Sequence, residues 1–186
     1  MINYIEKEVK FEIDNIDSFI KKLKSLDAKF IHKSFQKTIR FDNKDKELEK
    51  SGKFLRVRSG EKNIMTMKIK KDNKNVFERE EIELEISDIE NARKIINQLG
   101  FDYERVMEKN RSDWNLDGIK ISVDELPFGF FVELEGEEDK IFKLIKKLGL
   151  NKSKKIIDTY WELFEKYKKK NNKENLGDSI LFKEAK

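Results

Sequence analysis

Residues 6–13 alternate strictly, with charges at Glu6, Glu8, Lys10 and Glu12 and apolar Val9, Phe11 and Ile13 between them. A period of two predicts a strand with one polar and one apolar face. The rhythm then changes. Residues 14–17 offer helix-capping side chains, and Phe19, Ile20, Leu23 and Leu26 follow at helical spacing. The same strand-then-helix unit returns twice. Residues 79–86 alternate, Ser87 or Asp88 caps, and a helix over 89–99 runs to Gly100. Residues 131–135 then precede a helix over 138–148 that ends at Gly149. The interval between copies is irregular, which excludes a solenoid.

Further strands are predicted over 30–41, 53–59, 64–71, 103–115 and 120–125, with turn-like links at 43–52 and 72–75. A long last helix is expected over 157–170. The count is about eight strands and three or four helices. Residues 1–170 read as one domain, and 171–186 as a polar tail that docks, if at all, through Ile180, Leu181 and Phe182.

Alternate side chains of a strand point to opposite faces. Glu6, Glu8, Lys10 and Glu12 share a face, as do Arg56 and Arg58, and Thr66, Lys68 and Lys70. Arg79, Glu81, Glu83 and Glu85 line another, followed by Lys109 and Arg111, by Lys120, Ser122 and Asp124, and by Glu133 and Glu135. On one strand such a face is simply solvated. Across seven strands, with helices on the apolar side, the charged faces line the concave side of a curved sheet. About eight strands can close around one small ligand. A lumen holding both acids and bases is costly unless something pairs them. Metal plus polyphosphate meets that need, with carboxylates on the cation and Arg and Lys on the phosphate oxygens.

Composition narrows the chemistry. The 186 residues contain no cysteine and one histidine, His32, so thiolate zinc sites, disulfides and multi-histidine metal sites are excluded. A resident metal must be held by oxygen, which favours Mg²⁺ or Mn²⁺. The 41 bases and 37 acids nearly balance, which argues against a nucleic-acid partner. No apolar run is long enough for a membrane span, and the N-terminus has no signal-peptide pattern, so a cytoplasmic protein without a membrane partner is expected. His32 reads as a surface or strand residue. Trp114 and Trp161 read as packing, and the lysine run at 166–170 as a solvated helix end.

Taken in order, these elements resemble the CYTH superfamily, the triphosphate tunnel metalloenzymes. The resemblance rests on Glu6-Lys7-Glu8-Val9-Lys10, Leu55-Arg56-Val57-Arg58 and Thr66-Met67-Lys68, then on Arg79-Glu80-Glu81-Ile82-Glu83 and Glu108-Lys109-Asn110-Arg111. Val123-Asp124-Glu125, Phe131-Val132-Glu133-Leu134-Glu135 and Thr159-Tyr160-Trp161-Glu162-Leu163 complete it over roughly residues 2–168. It implies an α+β fold: an eight-stranded antiparallel β-barrel, the triphosphate tunnel, with helices packed outside. It further implies divalent metal on Glu6, Glu8, Glu133 and Glu135, and triphosphate on Lys10, Arg56, Arg58, Lys68, Lys70, Lys109 and Arg111. Lys10, Asp124 and Glu133 are implied at the reacting centre, and Glu83 is a further lumen residue. Lys154 or Lys155 would supply a late basic contact, although Asp158 departs from the family pattern before the closing segment. The implied activity is class IV adenylyl cyclase-like, ATP giving cyclic AMP and pyrophosphate. The alternatives are hydrolysis of thiamine triphosphate, tripolyphosphate or a nucleoside triphosphate, or a non-catalytic polyphosphate or RNA-end binding module. A homodimer is a possible assembly.

Overall fold

The computed structural model describes residues 4–71, 77–151 and 154–183, and in strands the side chains of residues 4–6 and 77 are also outside the description. The link expected at 72–75 and the side chain of Glu6 therefore lie outside the described residues. The alternating segments form β1 (Tyr4–Ile13), β2 (Lys29–Asp42), β3 (Lys53–Ser59), β4 (Ile64–Lys70), β5 (Phe77–Glu85), β6 (Tyr103–Leu116), β7 (Ile119–Leu126) and β8 (Gly129–Glu135). Between and after them lie α1 (Ile16–Ser25), α2 (Glu47–Lys50), α3 (Ile89–Gln98), α4 (Glu138–Lys147) and α5 (Tyr160–Lys170).

The strands close in the order β1-β5-β4-β3-β2-β6-β7-β8, and each ladder is antiparallel. Closure turns one face of every strand inward and removes the open sheet edges that invite pairing with other chains. The outward apolar faces then need cover. Val9, Phe11, Ile121, Val132 and Leu134 receive Phe19 and Leu23 of α1 and Ile141, Leu144 and Ile145 of α4. Ile39, Phe41, Leu55 and Val57 receive Leu48 of α2 and Ile96 of α3. Tyr160, Trp161 and Phe164 of α5 pack with Met107, Leu126 and Phe131 at one end of the barrel.

Two local features differ from the sequence expectation. The link over 43–52 contains a helical turn, because the Asp42 carboxylate accepts from the backbone N–H groups of Leu48 and Glu49, both at 3.0 Å. The last helix begins at Tyr160 rather than at residue 157. Thr159 and Glu162 form a reciprocal capping box, while Ile156 pairs in extended conformation with Lys10 of β1.

That pairing fills a gap. β5 runs beside β1 only from Tyr4 to Glu8, and beyond it the Ile156 N–H donates to the Lys10 carbonyl at 2.7 Å. A second gap opens on β6, where β7 pairs only from Asn110 to Leu116. There the Ile180 N–H donates to the Val106 carbonyl at 2.7 Å, and the Glu108 N–H donates to the Ile180 carbonyl at 2.8 Å. The Ile180 side chain is fully buried within the α5 cluster, and the Tyr103 hydroxyl donates to Asp178 at 2.7 Å. Replacing Ile180 by alanine is expected to lower the unfolding free energy by roughly 2–5 kcal/mol. Leu181→Ala, at a partly exposed neighbour, is expected to cost less than about 1 kcal/mol. Urea unfolding of both variants checks this, and equal small losses would show that the tail does not hold the fold.

Candidate functional site

The inward faces enclose a chamber of 190 Å³ lined by charged side chains from β1, β3, β4, β5, β6, β7 and β8, and by Thr159, Tyr160 and Trp161 at the start of α5. Among the described residues, eight bases and five acids line it. Their distribution follows from register. Glu8 of β1 stands opposite Glu135 of β8, and Lys10 opposite Glu133, so three carboxylates occupy adjacent positions on one wall. Lys10 Nζ lies 3.1 Å from Glu133 and 3.9 Å from Glu8, and Lys120 lies 2.9 Å from Glu135.

The facing wall is basic. Arg56 and Arg58 of β3 and Lys109 and Arg111 of β6 lie on the two strands that flank β2, with Lys68 on β4 next to β3, and all five line the chamber. Lys68 pairs with Glu81. Arg56 reaches Glu83 at 3.7 Å and donates to Thr66 at 3.3 Å. Arg58 has no ion-pair partner among the described residues. The neighbouring Arg56 guanidinium, then burial, then Arg111 pull its pKa down to about 10.

Beneath the chamber wall lies Asp124, with no exposed surface. It accepts from Arg111 at 2.6 and 2.5 Å, from Lys109 at 3.1 Å and from the Tyr160 hydroxyl at 2.7 Å. Arg111 also donates to Glu133. Burial alone would raise both acids, but Arg111 and Lys109 hold Asp124 below its ordinary range, and Arg111 and Lys10 hold Glu133 well below. Burial would likewise lower Lys10, yet Glu133 and then Glu8 reverse it and raise its pKa. Lys109 differs: burial and the neighbouring Arg111 outweigh Asp124 and lower its pKa to about 8. Burial, then Asp124, raise the Tyr160 phenol well above its usual value. Its ring also lies 4.2 Å from Lys10 Nζ and 5.2 Å from Lys109 Nζ.

The sequence-expected residues separate into groups. Glu8, Lys10, Arg56, Arg58, Lys68, Lys109, Arg111, Glu133 and Glu135 converge on the chamber, as does Glu83. Asp124 supports that wall from below. Lys70 lies in an outer groove of 650 Å³ beyond Trp161. Lys155, beside the Ile156 bridge, is not among the residues lining the chamber. Glu6 follows β1 in register with Arg79, with its side chain outside the description. Sequence reasoning gave Arg79 and Lys120 an inward face without a role, and Tyr160 only a place in a motif. The Thr-x-x-Glu spacing at Thr159 and Glu162 is the signal that fixes where α5 starts and so aims Tyr160 inward. His32, on β2, stands 3.6 Å from Glu61 and 3.5 Å from Asp113 at the far mouth. Trp114 and Trp161 are both buried.

Two expectations follow from these ion pairs. Asp124→Asn leaves Lys109 and Arg111 without their buried counter-charge and is expected to cost roughly 3–5 kcal/mol of stability, read by chemical denaturation. Because Asp124 and Glu133 have depressed pKa values in the folded state, their contribution is complete above the unfolded carboxylate range, about 4, and is lost as pH falls through the folded values. The wild-type unfolding midpoint should therefore fall steeply on acidification, and that of Asp124→Asn less so. Parallel acid profiles would refute the assignment.

The geometry can be set beside known proteins. Among relatives, a Methanocaldococcus jannaschii protein named "Putative adenylate cyclase" is 34% identical over 171 residues, covering 86% of this chain and 98% of that protein. Among solved structures, the PH1012 protein of Pyrococcus horikoshii superposes with a TM-score of 0.74 at 28% identity, covering 85% of this chain and 98% of that one. HpAC1 from Hippeastrum, described as having a dominant triphosphatase activity, shares the fold with a TM-score of 0.62 at 16% identity, over 87% of this chain and 95% of its own. No helix among the described residues is long and apolar enough to cross a membrane. The CYTH domain family model matches residues 4–160, from β1 to the tyrosine that enters the chamber, and the chain belongs to the CYTH family.

Proposed function

We propose that the chamber binds the triphosphate of a small organic molecule together with a divalent cation and cleaves a phosphoanhydride bond, with ATP cyclisation as the first reading. The observation that carries this is the convergence of Arg56, Arg58 and Arg111, which depress the Arg58 pKa by mutual repulsion. A polyanion among them relieves that repulsion and supplies the acceptors that planar guanidinium groups bind in pairs. The name of the Methanocaldococcus jannaschii relative supports the cyclase reading. The activity given for HpAC1 supports hydrolysis as the second.

The donor chemistry opposite fits a hard cation. Glu8, Glu133 and Glu135 offer only carboxylate oxygen, at adjacent register positions on β1 and β8. Among the described residues no three acids are gathered closely enough to hold a metal as they stand, because Glu133 is engaged by Lys10 and Arg111 and Glu135 by Lys120. Once those cations turn to phosphate, Glu8, Glu133 and Glu135 would hold Mg²⁺ or Mn²⁺, which when bound offsets negative charge on the phosphate oxygens. The remaining work belongs to the chain. Arg56, Arg58, Lys68, Lys109 and Arg111 hold phosphate oxygens, and Lys10 stands between the acidic and basic walls. Asp124 stays ionised and fixes Lys109 and Arg111 from behind. Phosphoryl chemistry of this kind needs positioning and charge stabilisation more than covalent participation. In the cyclase reading the ribose 3′-oxygen bonds to the α-phosphorus, loses its proton and displaces pyrophosphate. In the second reading water attacks the terminal phosphorus, the diphosphate end is displaced with the bridging oxygen, and the attacked group is released as orthophosphate.

Incubation with ATP, thiamine triphosphate and tripolyphosphate, each with Mg²⁺ or Mn²⁺, separates these outcomes. Cyclic AMP with pyrophosphate supports the first and orthophosphate the second; neither product nor binding from any of the three overturns both. Arg58→Ala is expected to raise KM by roughly 10–100-fold, the loss of one or two charged hydrogen bonds, and Glu8→Gln to weaken the dependence on added metal. An Arg58→Ala enzyme with wild-type KM would remove Arg58 from the binding wall. Lys109 loses its charge as pH rises through about 8, so kcat/KM, which reports the free enzyme, should decline above that pH. Lys109→Met should lower kcat/KM and abolish this limb. Persistence of the limb in the variant would assign it to another group.

A further inference from the structure

Closure of the barrel leaves one length of sheet edge open. β2 begins at Lys29, but β3 pairs with it only from Lys37 onward. Residues 29–36 therefore pair with β6 on one side and, among the described residues, with no strand on the other. Every second residue of an antiparallel strand turns both its N–H and its C=O to the same side, so backbone donors and acceptors line this edge. The comparable gaps on β1 and β6 are bridged by Ile156 and Ile180. Here a cavity of 410 Å³ lies beside the edge, lined by Ile31, His32 and Gln36 of β2 and by Gly60, Glu61 and Lys62 of the turn after β3.

The side chains along the edge say what could cover it. Phe30, Ile31 and Phe35 are each about half exposed, and apolar side chains on an open edge invite a further strand. Phe30, Lys33 and Phe35 stand opposite Trp114, Ser112 and Asn110, alternate residues of β6, so the three share the outer face. Residues 29–36 contain Lys29, His32 and Lys33 and no acid. Two acids beside the edge, Glu61 and Asp113, stand 3.6 and 3.5 Å from His32, and Lys62 is taken by Glu85 at 2.7 Å. A second copy docking edge to edge would bring the same bases against these, and lysine on an open edge is a means of preventing such pairing. A strand that carries acids meets no such barrier, so the charge that excludes a second copy selects a different partner.

We infer that residues 29–36 of β2 are a docking edge for an extended, acidic segment of another protein, which adds to the sheet as a further strand. Its apolar side chains lie against Phe30 and Phe35, and an acid on the same face meets Lys33. Main-chain hydrogen bonds hold such a segment, and its alternate side chains select it. The added strand runs where β3 would continue, along the cavity that shares Arg58, Glu83, Arg111 and Lys120 with the central chamber. Docking therefore covers the far mouth of the tunnel, whatever the chamber itself binds.

The probe is an end-blocked peptide repeating Val-Thr-Glu-Thr, which as a strand puts valine and glutamate on one face. Its counterparts carry lysine for glutamate, or N-methyl groups that remove the main-chain donors. The full chain is expected to bind the glutamate peptide at least about fivefold more tightly than the lysine peptide, and the N-methylated peptide not at all. Amide hydrogen exchange should slow within residues 29–36 and stay unchanged in β4. Lys33→Glu, at an exposed position, should reverse the order of the two peptides. No binding of the glutamate peptide, or binding without slowed exchange at 29–36, overturns the docking edge, and neither result depends on how a variant folds. So does an order of affinities that Lys33→Glu leaves unchanged. A dimer in sedimentation, with exchange at 29–36 slowed by protein concentration alone, assigns the edge to a second copy and equally overturns an acidic partner.

Discussion

The carboxylate of Asp124, without exposed surface, joins three parts of the molecule. It comes from β7, receives Lys109 and Arg111 from β6, and receives the phenol of Tyr160 from α5. Burying a carboxylate is tolerable only when its lone pairs are filled and its charge is opposed. Here both conditions are met by residues that also face the chamber, so the support of the wall and the shape of the site are one arrangement. Arg111 continues the chain of contacts to Glu133, and Lys10 joins Glu133 to Glu8. These groups form a continuous line of ion pairs from the barrel end to the acidic wall.

The same economy governs the ends of the sheet. Strands of unequal length leave backbone groups unpaired where a neighbour stops short, and buried peptide groups require partners. Two segments flanking α5 supply them, Ile156 on β1 and Ile180 on β6. α5 is thereby fixed at both ends, which sets Tyr160 against Lys10 and Trp161 under the Arg105 guanidinium at 4.6 Å.

Much of this was legible in the sequence because strand alternation is a local property. The charged faces of β1, β3, β6 and β8 could be read residue by residue, and closure of the sheet follows from having apolar faces enough for several helices. What could not be read is which charges oppose which. The pairing of Glu8 with Glu135, or of Lys10 with Glu133, depends on register between segments far apart in the chain. The gap-filling roles of Ile156 and Ile180 were equally invisible, since each is a single bridge without periodicity. Lys70 illustrates the limit: its face was legible, but its depth along the tunnel was not, and it stands in the outer groove.

The Lys10 amine donates to the carbonyl of Asp158 at 3.3 Å, across a sequence separation of 148. During synthesis the first strand therefore emerges long before the segment that completes its surroundings. Until then a lysine and the acids beside it can be only partly desolvated, and β1 waits first for β5 and then for β8 before it has a neighbour on either side. Contacts of such range are slow to form and leave strand edges exposed in the interval. The order of manufacture is thus the reverse of the order of need: the chamber's first-made wall is its last to be finished, and folding of this barrel is expected to be committed late, only once nearly the whole chain is available.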